Sequence, residues 1–407
     1  MAGATREARA AGERLPDRIS IGVLARTFTD ELVDEVIDQA GVREKRFRLL
    51  PARLMVLFTL TCWLFTRTGY VGVLGKLVDA HLLGGARGWS MPGTEAIGRA
   101  RERLGPEPLR LLFAKVAGPS GSPGTPGVFY AGLRVATVDG FTLDVPNTDE
   151  NLAYFGKGGN GSGTANPYPQ LRAVVLAESG TRSLLAVAHG PCTTGEKTLT
   201  AGLLDAFGPG LLVLADRNFI SWKLWTAAAG TGADLCWRVP ASFNLTPTLV
   251  LADGTYLTEL RPPRKKDGPP VTVRIIEYSV TTTGTDGKGE VSELFVLATT
   301  LVDPAHASAE DLAGLYARRW QAETGFADLK TAQGGGPEHV LRSKKPATVT
   351  QELYAMFCVY QAVRDLIGYA APPGLDPSRV SFTKAIDAAR DTVTRAALSP
   401  RGPKPRP

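Results

Sequence analysis

Up to about residue 118, apolar residues recur at helical spacing; beyond it the period shortens to two. In "DELVDEVIDQAG", Leu32, Val33, Val36 and Ile37 share one helical face, and Gly41 marks the stop. "LMVLFTLTCWLF" (Leu54–Phe65) is apolar throughout. It falls short of the about 20 residues a membrane-spanning helix needs, so a buried helix is expected. "TEAIGRARERLGPEPLRLLFAKVAG" predicts two helices turning at Gly105-Pro106. Strand periodicity then runs through "RVATVDGFTLDV" (Arg134–Val145), "LRAVVLAESGTRSLLAVAHG", "LLVLADRNF" and "DLCWRV", with a helix over "SWKLWTAAAGTG". "SELFVLATTLV" is a further strand, and "TVTQELYAMFCVYQAVRDLIGY" a further amphipathic helix.

These patterns predict a helical N-terminal domain over 1–118 and a linker, "PSGSPGTPG", over 119–127. An α/β domain follows over 128–370, interrupted at about 240–290 by a Thr-, Pro- and Gly-rich β insertion, with a proline-rich tail over 371–407 whose last residues are expected to be disordered. Composition is that of an ordinary soluble protein of 407 residues, 43% hydrophobic and 21% charged. The net charge of +6 is compatible with nucleic acid without establishing it. Cys62, Cys192, Cys236 and Cys358 form no C-x-x-C pair and are expected to be reduced core thiols. The N-terminus lacks a signal-peptide stretch, so a cytoplasmic protein is expected.

Candidate chemistry lies in isolated acids. Asp139 falls on the strand face of Val135 and Thr137, and Asp216 is the first charge after the apolar "LLVLA". Taken singly, each has a structural reading: Asp139 opening an Asp-Gly turn, Asp216 capping the next helix. Asp144 is expected in a strand-end turn. The segment "YARRWQAETGFADLK" changes the weighing. At ~100° per residue, Tyr316, Arg319, Glu323 and Lys330 share an arc of roughly 60°. Beside it runs an apolar stripe of Leu315, Ala322, Phe326 and Leu329 that would pack on a sheet, with Gln321, Thr324 and Asp328 on the solvated side. Two strand-end aspartates and a helix glutamate suit a hard divalent cation such as Mg²⁺ and phosphoryl-transfer chemistry, with Arg319 and Lys330 placed for phosphates.

The same four residues stand as Y-x2-R-x3-E-x6-K without a gap, which resembles the signature of the insertion element 4 family of bacterial cut-and-paste transposases. "VDGFTLDVPNT", "NLAYFG", "LLVLADRNF" and "VLRSKKPATVTQELYAMFCVYQAVRDLI" are similar to its catalytic segments, and "LLPARLMVLFTL" with "AIGRARERLGPEPLRLLF" to its N-terminal domain. The resemblance covers roughly residues 20–368. It implies a ribonuclease H-like core with Asp139, Asp216 and Glu323 as catalytic metal ligands for Mg²⁺, with Mn²⁺ as a substitute. It implies that Tyr316, Arg319 and Lys330 contact the DNA near the cut, and Arg342 in the closing segment is a further candidate contact. The implied activity is cleavage at the element's ends and joining of the freed 3′-hydroxyl to target DNA. The implied partners are the terminal inverted repeats, the target duplex and a second copy of the chain in the synapse, and the implied location is the nucleoid. Members that cut through a DNA hairpin use a tryptophan in the insertion, and no tryptophan falls between Trp237 and Trp320. The alternative is a catalytically silent DNA-binding protein derived from a transposase, or a metal-dependent nuclease without strand transfer.

Arg99, Arg101 and Arg103 are candidate phosphate contacts on a possible helix-turn-helix. "GPCTTGEKT" almost spells a P-loop, but Glu196 breaks the spacing before Lys197. "GKGGNGSG" reads as a flexible loop, and His189 and His339 as structural residues.

Overall fold

Residues alternating along β3 (Gln170–Glu178) are buried on both sides of the strand: Ala173 and Val175 on one, Val174 and Leu176 on the other. A strand buried on both faces belongs inside a sheet covered by helices on both sides. The computed structural model describes residues 21–46, 48–78, 90–159, 166–240, 242–279, 281–283, 289–291, 294–334, 336, 339–372 and 374–398. Among them, β1 (Phe129–Tyr130) folds back on β2 (Leu133–Asp144), the long central strand of a ten-stranded sheet. β3 and β4 (Leu184–Pro191) flank β2 antiparallel on one side. β5 (Leu211–Ala215) and β6 (Asp234–Arg238) run parallel to it on the other. This is the mixed sheet expected of a ribonuclease H-like core.

The β insertion extends that sheet and does not stand apart from it. β7 (Leu249–Val250), β8 (Tyr256–Leu260) and β9 (Val271–Tyr278) add on in antiparallel pairs, while β10 (Thr281–Thr283) and β11 (Gly289–Val291) form a separate ladder. β12 (Phe295–Thr299) joins the two parts, its Leu297 facing Arg238 of β6 on one edge and Ile276 of β9 on the other.

The N-terminal helices are α1 (Asp30–Gln39), α2 (Ala52–Leu64), α3 (Tyr70–Leu77), α4 (Thr94–Leu104) and α5 (Glu107–Val116). The α/β part adds α6 (Asp149–Phe155), α7 (Glu196–Ala201), α8 (Trp222–Ala229) and α9 (Ala309–Ala327), then α10 (Pro346–Ala370) and α11 (Phe382–Leu398). α2 is buried along its length, as its composition requires, and no helix among the described residues is long and apolar enough to cross a membrane.

The helical region is not a separate body. One core joins Leu54, Phe58 and Leu112 of the N-terminal helices to Phe141 and Val175 of the sheet and to α10. α10 is therefore buried nearly all round, where an amphipathic face was expected. Two of its buried polar residues tie neighbouring segments to it: Gln351 donates to the carbonyls of Arg101 and Gly105, and Glu352 accepts from the backbone N–H groups of Arg342 and Ser343. The linker is held down too, with Gly121 N–H on Glu178 Oε2 at 2.8 Å and, just ahead of it, Gly118 N–H on the Leu184 carbonyl at 2.9 Å. At Gly180 a Cβ would lie 2.5 Å from the Pro126 carbonyl oxygen, so only glycine lets the linker pass. Within the expected tail, α11 buries Phe382, Ile386, Ala389 and Val393 in the same core; residues 399–407 lie outside the described residues.

α9 ends in a π-helical turn, Asp328–Gln333, which rotates these residues out of the ideal helical phase. Asp328, expected on the solvated side, faces the interior: its Oδ2 accepts from Arg364 Nη2 at 2.7 Å and lies 3.5 Å from Arg182 Nη1. Leu315 and Leu329, expected in one stripe, enter different cores. Both arginines are buried, and Asp328 is their shared counter-charge. Asp328→Ala is therefore expected to lower the free energy of unfolding by about 3–5 kcal/mol, read by urea denaturation. A loss below about 1 kcal/mol, the range of exposed pairs, would show the carboxylate to be dispensable there.

Candidate active site

The parallel pairing of β2 with β5 ends at Val138 opposite Ala215, one residue before an aspartate on each strand. Asp139 and Asp216 are therefore side by side where the two strands part. Alternation places Asp139 with Val135 and Thr137, and Asp216 with Leu212 and Leu214. Val135, Leu212 and Leu214 belong to the core under α9, so both acids face the side that α9 covers. The strand runs through Asp139-Gly140 without a turn because β3 continues to pair with it, Asp139 opposite Val175. Asp139 Oδ1 accepts from the Gly140 N–H at 2.8 Å, and its side chain is 20% exposed. The Asp216 carbonyl accepts from Phe219 N–H at 3.0 Å, turning the chain toward α8.

On α9, Tyr316 is 1% exposed and Arg319 3%. Tyr316 packs with Val135, Leu212 and Leu214, in the core proper and not at its edge. Arg319 lies over its ring at 5.4 Å and reaches to 4.0 Å from Asp139 Oδ2. Burial pushes the Tyr316 phenol far up, with Arg319 opposing and Asp216 adding to the rise. The phenol therefore stays protonated. Glu323 follows Arg319 by four residues on α9, hence on the same helical face. Its side chain, and that of Lys330, lie outside the described residues. Lys330 falls in the π-helical turn, so the arc drawn for an uninterrupted α-helix does not extend to it.

Among the described residues no three His, Cys, Asp or Glu side chains form a metal-holding group. The pair that is described, Asp139 and Asp216, offers oxygen donors alone, on one face of an opened strand seam. That donor chemistry suits a hard divalent cation and would suit a soft metal poorly.

The arginines divide. Arg99 is exposed and pairs with Glu95 at 2.5 Å. Arg103 donates to the Leu50 carbonyl at 2.7 Å. Arg101 is buried, its guanidinium donating to Gln351 Oε1, Tyr70 Oη and the Thr348 carbonyl, so in this arrangement it is not presented to a phosphate. Helical phase separates it from Arg99: Ile97, Arg101 and Leu104 fall on the inner face of α4. Arg342 likewise donates to the carbonyls of Phe65, Thr66 and Thr68. Yet Arg99 and Arg101 of α4 line one cleft of about 410 Å³ with Arg342, Lys344 and Lys345, far away in the chain. The two lysines are exposed, Lys345 pairing with Glu102 at 3.1 Å. Sequence reading passes over them, although "RSKK" is a visible cationic run.

Other expectations resolve simply. Lys197 donates to the Ile220 carbonyl at 2.7 Å, a structural use that leaves no phosphate cradle. Burial lowers the His189 and His339 pKa values, and His339 packs on Trp63. Asp144 ends β2 in a parallel bridge to Val340 instead of a turn, its Oδ1 accepting from Gln170 at 2.8 Å. All four cysteines are free and buried, and residues 160–165 of the glycine-rich loop lie outside the described residues.

The family description "Insertion element 4 transposase N-terminal" matches residues 18–114, and "Transposase DDE domain" matches residues 130–362. The chain is 28% identical over 381 residues to Transposase InsG for insertion sequence element IS4 of Escherichia coli strain K12, covering 92% of this chain and 82% of that protein. A solved piggyBac transposase synaptic complex with hairpin DNA aligns over 92% of this chain and 80% of its own, with 11% identity and a TM-score of 0.46. Since the DDE domain match takes in more than half of the chain, and the N-terminal match lies just ahead of it, the protein belongs to the insertion element 4 family of DDE transposases.

Proposed function

We propose that the protein binds the ends of its own insertion element, cuts phosphodiester bonds there and joins the freed 3′-hydroxyl to target DNA. The observation that carries this reading is the pairing of Asp139 and Asp216 at adjacent strand ends, on the face covered by the helix that bears Glu323. In it, Asp139, Asp216 and Glu323 would hold Mg²⁺, or Mn²⁺ in its place, which when bound would supply activation of the attacking oxygen and neutralisation of the leaving one. Arg319, tethered beside Asp139, faces the scissile phosphate and balances part of the acids' charge. Tyr316, packed between Val135, Leu212 and Leu214, supports Arg319 across its ring face. Lys330 contacts the DNA backbone near the cut. The cleft formed by α4 and residues 342–345 takes the duplex farther from the cut, through Arg99, Lys344 and Lys345. Two copies of the chain hold two ends together.

Incubating the protein with a plasmid carrying its gene and flanks, plus Mg²⁺ or Mn²⁺, is expected to give breaks at the element's ends. Glu323→Gln and Asp139→Asn are expected to cut at background while retarding end DNA as wild type does. Retardation by all three proteins with no cutting by any would instead identify a silent DNA-binding protein.

Arg319→Ala is expected to slow cleavage by about 10²-fold with the retardation midpoint unchanged. An equal loss in both would assign Arg319 to binding alone.

Removing Arg99, Lys344 and Lys345 together is expected to lower the salt dependence of DNA binding by about one logarithmic unit of slope per cation. A slope equal to wild type would place the duplex elsewhere.

A further inference from the structure

Arg274 on β9 is fully buried, and each nitrogen of its guanidinium donates to one of two segments distant in sequence. Nε donates to Thr255 Oγ1 at 2.9 Å, and Nη2 to Asp253 Oδ2 at 2.6 Å. Both partners lie at the turn between β7 and β8, inside the β-rich insertion. Nη1 donates to the carbonyls of Ala307 at 2.6 Å and Leu301 at 3.3 Å. Those carbonyls belong to the connection from β12 to α9. Much of that connection is exposed, at Val302, Asp303, Ala305 and His306. Ala307 is buried in the core beneath α9, and helix geometry begins at once: Ser308 Oγ accepts from Asp311 N–H at 3.1 Å, and the Ser308 carbonyl from Leu312 N–H at 3.2 Å.

Such an anchor matters because the first half of α9 is otherwise held mainly by apolar contacts, which lack direction. Leu312, Leu315 and Tyr316 press it onto the sheet, but apolar burial is non-directional and tolerates sliding along the helix axis. Hydrogen bonds from a rigid, planar fork do not. From Ala307 to Glu323 is about 24 Å at 1.5 Å per residue, so a tilt of about 5° at the start moves Glu323 by about 2 Å. Metal ligands tolerate displacements of only about 0.2 Å.

We propose that Arg274 is a positioning residue by which the insertion sets the place of α9 along the sheet, and with it the pose of Arg319 and Glu323. Among its described contacts are neither Asp139 nor Asp216, and it acts on α9 through the Ala307 and Leu301 carbonyls. The consequence for metal rests on Glu323 being a metal ligand, as in the proposed function; the anchoring of α9 does not.

The test uses the full chain as wild type, Arg274→Met, Arg274→Lys, Asp253→Asn and Glu323→Gln, with amide hydrogen exchange and calorimetric Mn²⁺ titration, both without DNA. In Arg274→Met, amides of residues 309–323 are expected to exchange about tenfold faster or more, while those of α10 keep their wild-type rates. Mn²⁺ affinity is expected to fall about tenfold. Arg274→Lys, which keeps the charge and loses the fork, and Asp253→Asn, which keeps the fork and weakens its hold on the insertion, are expected to fall between. Unchanged exchange in α9 would overturn the proposal, as would equal acceleration in α9 and α10, which marks a general loss of stability. If Glu323→Gln binds Mn²⁺ as wild type does, the metal-ligand reading of Glu323 fails, and the exchange data still decide the anchor.

Discussion

Two like charges placed side by side at the end of a parallel strand pair are the constraint around which this protein is organised. Asp139 and Asp216 come directly after the last paired residues of β2 and β5, where the strands part. Their mutual repulsion in a partly buried seam demands opposite charge, and Arg319, buried to 3% exposure, stands 4.0 Å from Asp139. A guanidinium so deeply buried is itself costly without acids beside it. Seam and helix thus require each other, and a divalent cation at the same place would complete the balance.

That dependence explains how much structure is devoted to α9. Its inner face is fixed by Tyr316 between Val135, Leu212 and Leu214, its start by Arg274, and its end by Asp328 between two buried arginines. The π-helical turn at Asp328–Gln333 belongs to this arrangement, since it turns Asp328 inward and sends Leu329 into the other core. Buried arginines at both ends give direction to a helix that apolar packing alone would leave free to slide.

The N-terminal helices contribute in a similar way. Because α10 is surrounded by them on one side and by the sheet on the other, a shift in either is felt by both. Arg101 and Arg342, which on sequence grounds resemble phosphate ligands, act as the pins of that union. Each commits its fork to groups some 250 residues away: Gln351 and Thr348 for Arg101, Phe65 and Thr68 for Arg342. The exposed cations of the same cleft are left to meet a duplex.

The sequence by itself determined the elements and the candidate chemistry. Strand alternation is a local property, so the face of Asp139 is legible from Val135 and Thr137. An apolar run ending in charge likewise marks Asp216, and the spacing of Tyr316, Arg319, Glu323 and Lys330 marks the family. Tertiary structure alone decided what these elements meet. Periodicity gives the phase of a helix but not its neighbour, so it puts Tyr316 at the edge of a core that in fact encloses it. It puts Asp328 in water because nothing local announces a π-helical turn. The β insertion is legible in composition, but where it joins is not, because ladder partners such as Leu297 and Ile276 are chosen by a sheet edge, not by adjacent residues. Arg101 differs from Arg99 by two residues, about 200° of helical turn, and only the presence of α10 on one side makes the first a structural pin and the second a surface charge.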